Sequence, residues 1–155
     1  MHRIAKSAAL AALLVAAACG GEEGSTSPAV GADGQAAAAA EFSGNLNVSA
    51  TDIAMGSTIT VTERATNLIG SQVGPIIIGI RRLGFDVVSA QKPRTGICRI
   101  AGSATCNFVE LAPEETQAYT LTLSPIAPGS YTIQGWTTSS YVPGGFSGSA
   151  TVTVH

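Results

Sequence analysis

From Leu46 onward the sequence alternates with a period of two, and that period limits the folds open to it. Leu46, Val48 and Ala50 are spaced by polar residues, and Ser57-Thr58-Ile59-Thr60-Val61-Thr62 alternates strictly. Successive side chains of a strand point to opposite faces, so such runs make half-buried strands rather than amphipathic helices. Cys106 to Leu111 is a further alternating run, and Thr116 to Leu123 sets Tyr119, Leu121 and Leu123 on one face and threonines on the other. Pro75-Ile76-Ile77-Ile78-Gly79-Ile80 is continuously apolar, as expected of a central strand buried on both sides. Phe85-Asp86-Val87-Val88 is a shorter run, Tyr131 and Ile133 begin another, and Ala150, Val152 and Val154 close the chain. Turn residues separate these runs: Gly56, Asn67 through Gly70, Pro113, Pro125 through Gly129, and Pro143-Gly144-Gly145.

Seven or eight short strands within residues 46–155 predict an all-β domain, an immunoglobulin-like antiparallel β-sandwich present in one copy. Aromatic residues make up only 5% of the chain, with a single Trp, so its core must be aliphatic and thin. The formal net charge of −2 is the wrong sign for gripping phosphates and argues against nucleic-acid binding.

Residues 1–18 have the form of a secretory leader. Arg3 and Lys6 precede an apolar stretch from Ala8 to Ala18, shorter than the ~20 residues of a membrane span. The end of this stretch, Ala16-Ala17-Ala18-Cys19, resembles the lipobox of bacterial lipoproteins. That resemblance implies cleavage before Cys19, acylation of that cysteine with fatty chains such as palmitate, and a membrane anchor. Gly20 after the cysteine resembles the outer-membrane sorting pattern of two-membrane bacteria. Without Arg3 and Lys6, eight basic residues become six against ten acidic ones, a mature charge of −4. Residues 19–45 continue as a Gly/Ser/Ala-rich stretch with no aliphatic period, expected to be a flexible tether.

The order of features after residue 45 is more specific than the strand count. Gly56 precedes the Thr-Ile-Thr-Val-Thr strand, which ends near Thr66-Asn67 before a glycine turn; Cys98 and Cys106 follow, then Leu111-Ala112-Pro113-Glu114-Glu115, then Pro128-Gly129-Ser130-Tyr131. This run resembles the immunoglobulin-like repeat known as domain of unknown function eleven, over roughly residues 46–138. Glu63-Arg64-Ala65 stands where that family has an apolar strand end. The resemblance implies an architectural or adhesive role and brings no catalytic residues with it. Tyr131, two residues after Gly129, resembles the tyrosine corner of Greek-key sandwiches.

With Cys19 assigned to lipid, Cys98 and Cys106 remain as one pair, expected to form a disulfide in an oxidising compartment and to pin the crossover around residues 92–96. A redox-active pair usually has closer spacing, and a zinc site would need His155 and a fourth ligand that the sequence does not offer. No metal and no cofactor is expected. His155 is the only histidine after the leader, and Glu110, Glu114 and Glu115 gather around a turn, where solvation suits them better than a cleft. The chain is accordingly not expected to be an enzyme. Arg81, Arg82, Arg94 and Arg99 could form a small basic spot.

A recognition flavour appears in one place. Trp136, Tyr141 and Phe146 lie in a Ser/Gly/Pro-rich segment between the last two strands, which is either a candidate binding loop or a set of aromatics that cap the open end of the sandwich or cover a sheet face; alternation puts Trp136 on the face of Thr132 and Gln134, opposite Tyr131, Ile133 and Gly135. The expectation is a lipid-anchored envelope or surface protein with one non-catalytic binding or adhesion domain. Its partner would be an envelope protein or a glycan. The alternatives are a passive spacer without a ligand, or a carrier of a small apolar molecule, which so thin a core disfavours.

Overall fold

The structure is a computed structural model that describes residues 41–139 and 147–155. Ten strands follow in order: β1 (Phe42–Val48), β2 (Asp52–Ile53), β3 (Ile59–Asn67), β4 (Val73–Arg81), β5 (Phe85–Gln91), β6 (Ile97–Ala101), β7 (Ser103–Leu111), β8 (Thr116–Pro125), β9 (Gly129–Thr138) and β10 (Ser147–Val154). They form a four-stranded sheet ordered β1-β3-β8-β5 and a six-stranded sheet ordered β2-β10-β9-β4-β7-β6. All pairings are antiparallel except β2 with β10. The expected all-β sandwich is therefore present. The strands beyond the seven or eight expected include the two-residue β2 and the edge strand β6, both too short to carry a period.

The two inner faces close on a core that is aliphatic, as the composition requires. Ile76, Ile78 and Ile80 from β4 meet Val61, Leu121 and Leu123 from the opposite sheet, all fully buried. The aromatic contribution is Phe42, Phe85 and Tyr119. Phe42 corrects the expected boundary: β1 begins four residues before Leu46, because Phe42 is fully buried although the small and polar residues after it mask any period.

Two other local expectations are corrected. The alternation of Cys106 to Leu111 is broken, because Cys106 pairs with Ile78 while Val109 pairs with Ile76. The extra residue is absorbed at Phe108, which takes a φ of 60° and stays 64% exposed. Strand β4 is central, but only its inner isoleucines are fully covered; on its outer side Ile77 is half-buried.

Cys98 and Cys106 face each other across the β6–β7 hairpin and are disulfide-bonded. The preceding crossover is held by more than sulfur. Arg94 pairs with Glu115 at 2.9 Å, Thr95 Oγ1 donates to Glu110 O and accepts from Glu110 N–H, and Pro93 is buried. Replacing both cysteines by Ala should lower the unfolding free energy by about 2 kcal/mol, the loop-closure entropy of so short a ring. Urea denaturation reads it, and an unchanged midpoint would show that the hairpin ladder suffices.

Candidate functional site

The outer face of the six-stranded sheet carries the most distinctive surface of the domain. Along β9, Ile133, Gly135 and Thr137 are buried toward the core, whereas Thr132, Gln134 and Thr138 are exposed on the other side and Trp136 is half-buried among them. The expected parity of Trp136 is correct. What the sequence did not disclose is its neighbour: Gly79 of β4 pairs with Trp136, and the indole lies against it. A Cβ at Gly79 would stand 2.2 Å from Cζ2 of Trp136, so only glycine lets the ring lie this close to the sheet.

Register extends this platform across the sheet. Gly79 also pairs with Thr105, and Thr105 with Arg99, so Trp136, Gly79, Thr105 and Arg99 form one row over four strands. In the next row Arg81 pairs with Gln134, and its Nη1 donates to Gln134 Oε1 at 3.5 Å. Beside the indole, Gln134, Gly135, Trp136, Gly148 and Ser149 line a shallow depression of about 270 Å³. The four arginines do not make one spot. Arg82 Nη1 donates to Phe85 O and Arg94 pairs with Glu115, which leaves Arg81 and Arg99 on the platform. Of the other candidate residues, Cys19, Tyr141 and Phe146 lie outside the described residues, and Cys98 and Cys106 form the disulfide.

Facing the core side of β9, on β3 of the opposite sheet, is a group that sequence reasoning missed. The alternation Ile59, Val61, Glu63, Ala65, Asn67 turns all five side chains inward, and Glu63 is fully buried. Its Oε1 accepts from Thr137 Oγ1 at 3.0 Å, while Oε2 has no hydrogen-bond partner among the described residues. Desolvation pushes the carboxyl from 4.5 up to about 7, against the opposing pull of the Thr137 hydrogen bond. Gly135 and Gly44 make the room: a Cβ at Gly135 would stand 2.1 Å from Oε2, and one at Gly44 2.8 Å from Oε1. Tyr119, the cross-strand neighbour of Glu63, also buries a hydroxyl that has no hydrogen-bond partner among the described residues, and burial raises its pKa. The signal for Glu63 was available, since strict alternation from Ile59 already assigns it to the core.

Several other candidate residues have structural work. Glu115, expected to be solvated, accepts from Ala112 N–H, Arg94 and Gln117; these bonds, the Ala112 N–H above all, hold its carboxyl below the usual value. Tyr131 Oη donates to Ala127 O at 3.0 Å, and its ring meets Phe85 edge-on at 5.6 Å, which is the tyrosine-corner arrangement. His155 is tied down rather than frayed: its N–H donates to Ile53 O, and Nδ1 lies 3.6 Å from Asp52 Oδ1. Among the described residues, no three His, Cys, Asp or Glu side chains stand together as a metal site would need.

No protein-family model and no curated protein sequence matches the chain. Solved structures do share its fold. The CARDB domain of a Pyrococcus furiosus protein superposes with a TM-score of 0.51 at 15% identity, covering 74% of this chain and 94% of that domain. The cupredoxin domain of amoB from Nitrosocaldus yellowstonii gives a TM-score of 0.47 at 13% identity, over 72% of this chain and 86% of the other. At such identity the first of these likenesses establishes architecture alone: the chain folds as an all-β sandwich of the immunoglobulin type.

Proposed function

We propose that this chain is an exported, lipid-anchored envelope protein whose sandwich binds a partner without catalysing a reaction. The leader ending at Ala18, the cysteine at position 19 and the Gly/Ser-rich stretch after it support anchoring, in an outer membrane where the host has one. The order of the Asn67 turn, the cysteine pair and the Leu111–Glu115 turn supports kinship with the domain-of-unknown-function-eleven repeats of surface proteins.

One observation carries the binding reading. The single Trp of the chain is not in the core; it sits half-buried on an outer sheet face, seated against a glycine that accommodates it. A large aromatic held rigidly at a surface offers contact area without loss of side-chain freedom on binding. Immobilised full-length protein is expected to retain an envelope component saturably, and Trp136→Ala is expected to abolish retention while leaving the circular dichroism unchanged. Retention that survives Trp136→Ala, or none at all, would overturn this reading, the latter in favour of a passive spacer.

A further inference from the structure

We infer that the outer face around Trp136 is a binding site for an acidic glycan, a chain of sugar rings bearing carboxylates. This rests on the binding reading above and adds the chemical class of the ligand.

The first argument is the shape of the apolar contact. The indole lies close against Gly79 and stays partly exposed, so an aromatic surface is open at the sheet face. One face of a pyranose ring is a plane of C–H groups, and such a plane packs on an indole with its hydroxyls left at the rim. The depression beside the indole, about 270 Å³, admits a sugar ring, and the side chains of Gln134 and Ser149 at its edge can exchange hydrogen bonds with hydroxyls.

The second argument is charge. The mature chain is acidic, yet Arg81 and Arg99 both stand near the Gly79 position that the indole covers: Arg81 two residues along β4, Arg99 two strands across. The outward positions of β4, β6 and β9 carry these two guanidinium groups and no carboxylate, and the exposed Glu110 of β7 stands five residues along that strand from Thr105. Arginine presents a planar fork that meets a carboxylate through two parallel N–H bonds. Arg81 is already oriented over the strand that bears Trp136 by its contact with Gln134. A ring stacked on the indole would hold its carboxylate toward Arg81, and a further ring of the chain, laid across the sheet, would bring a second carboxylate toward Arg99.

A protein partner fits less well. Stable protein interfaces need a broad patch with an apolar centre, whereas around the indole the sheet offers mainly hydroxyl and amide side chains. The exposed apolar residues of this sheet, Ile97, Ile100 and Phe108, gather at the β6–β7 edge, with Ile97 two residues from Arg99 and three strands from the indole.

Isothermal titration of the full-length chain with a galacturonate oligomer, and with the same oligomer methyl-esterified to remove its charge, tests the inference. The acidic oligomer is expected to bind, with affinity falling as salt is raised. Esterification, Trp136→Ala and the pair Arg81→Gln with Arg99→Gln should each weaken binding about tenfold or more, whereas Trp136→Phe keeps an aromatic plane and should retain most of it. Phe108→Asn, which suits the positive φ there, should leave binding unchanged. Equal binding of the esterified oligomer would overturn the acidic assignment. Loss of binding in Phe108→Asn would overturn the location. Binding of neither oligomer, with retention of an envelope component through Trp136 intact, would overturn the glycan and leave the binding reading standing; loss of both would remove the two together.

Discussion

As pH rises from 4.5 through 7, the domain is expected to lose about 3 kcal/mol of stability through Glu63 alone. The carboxyl sits between the sheets, faced by Gly44 and Leu46 from β1, by Tyr119 from β8 and by Gly135 and Thr137 from β9. None of these is a cation, and the Thr137 hydroxyl offsets only part of the cost of ionisation. In the unfolded chain the group releases its proton near 4.5; in the folded one it holds it until about 7. The folded state therefore binds more protons across that window, and its stability is complete below the window and falls as the pH climbs through it. Thermal melts at a series of pH values should show this slope, with a fall in Tm on the order of 15 °C. Glu63→Gln keeps the shape without the charge, so the slope should vanish and the variant should exceed the parent at pH 7. Glu115 has the opposite sign: its carboxylate is held low, so its contribution is lost as pH drops below the usual carboxylate value. A stability that stays level or rises from pH 4.5 to 7 would refute this account of the buried carboxyl.

Asn67→Ala should cost about 3 kcal/mol, among the largest single losses this fold can show outside its aliphatic core. Asn67 is 2% exposed at the end of β3. Its Nδ2 donates to Ser71 O at 2.7 Å and Ala112 O at 2.8 Å, with a weaker approach to Leu111 O at 3.3 Å, and Oδ1 accepts from Ile69 N–H. One side chain thus ties the β3–β4 turn to the end of β7, which belongs to the other sheet. Alanine would strand a buried N–H and two carbonyls at once. Aspartate should be no better, because its second oxygen would face the carbonyls that the amide now satisfies. Urea midpoints of the two variants decide the matter, and a loss under about 1 kcal/mol would mean that water serves these groups as well as the amide does.

How legible these features were depended on how far apart their causes lie in the chain. Parity within a strand was readable wherever alternation was clean. It placed Tyr119, Leu121 and Leu123 inside, set Trp136 beside Thr132 and Gln134, and would have put Glu63 and Asn67 in the core had it been followed past Val61. Tyr131 was legible for a similar reason, since its hydroxyl bonds carbonyls only three and four residues back. Phe108 was not, because a bulge shifts the alternation by one residue and is visible only against the partner strand. Phe42 escaped because Gly44 had to be small to clear Thr137 and Glu63, both distant in sequence, which removes the period from β1.

Alone, then, the amino-acid order determined the sandwich, its aliphatic interior and the strand face that the indole shares with Thr132 and Gln134, since each follows from neighbours a few positions away. Which strands lie together was decided only on folding. The seat of Trp136 on Gly79, the row from Trp136 to Arg99 and the enclosure of Glu63 beneath Gly135 all depend on register between remote segments. That register is set by mutual burial of whole faces, a property no single run of residues possesses.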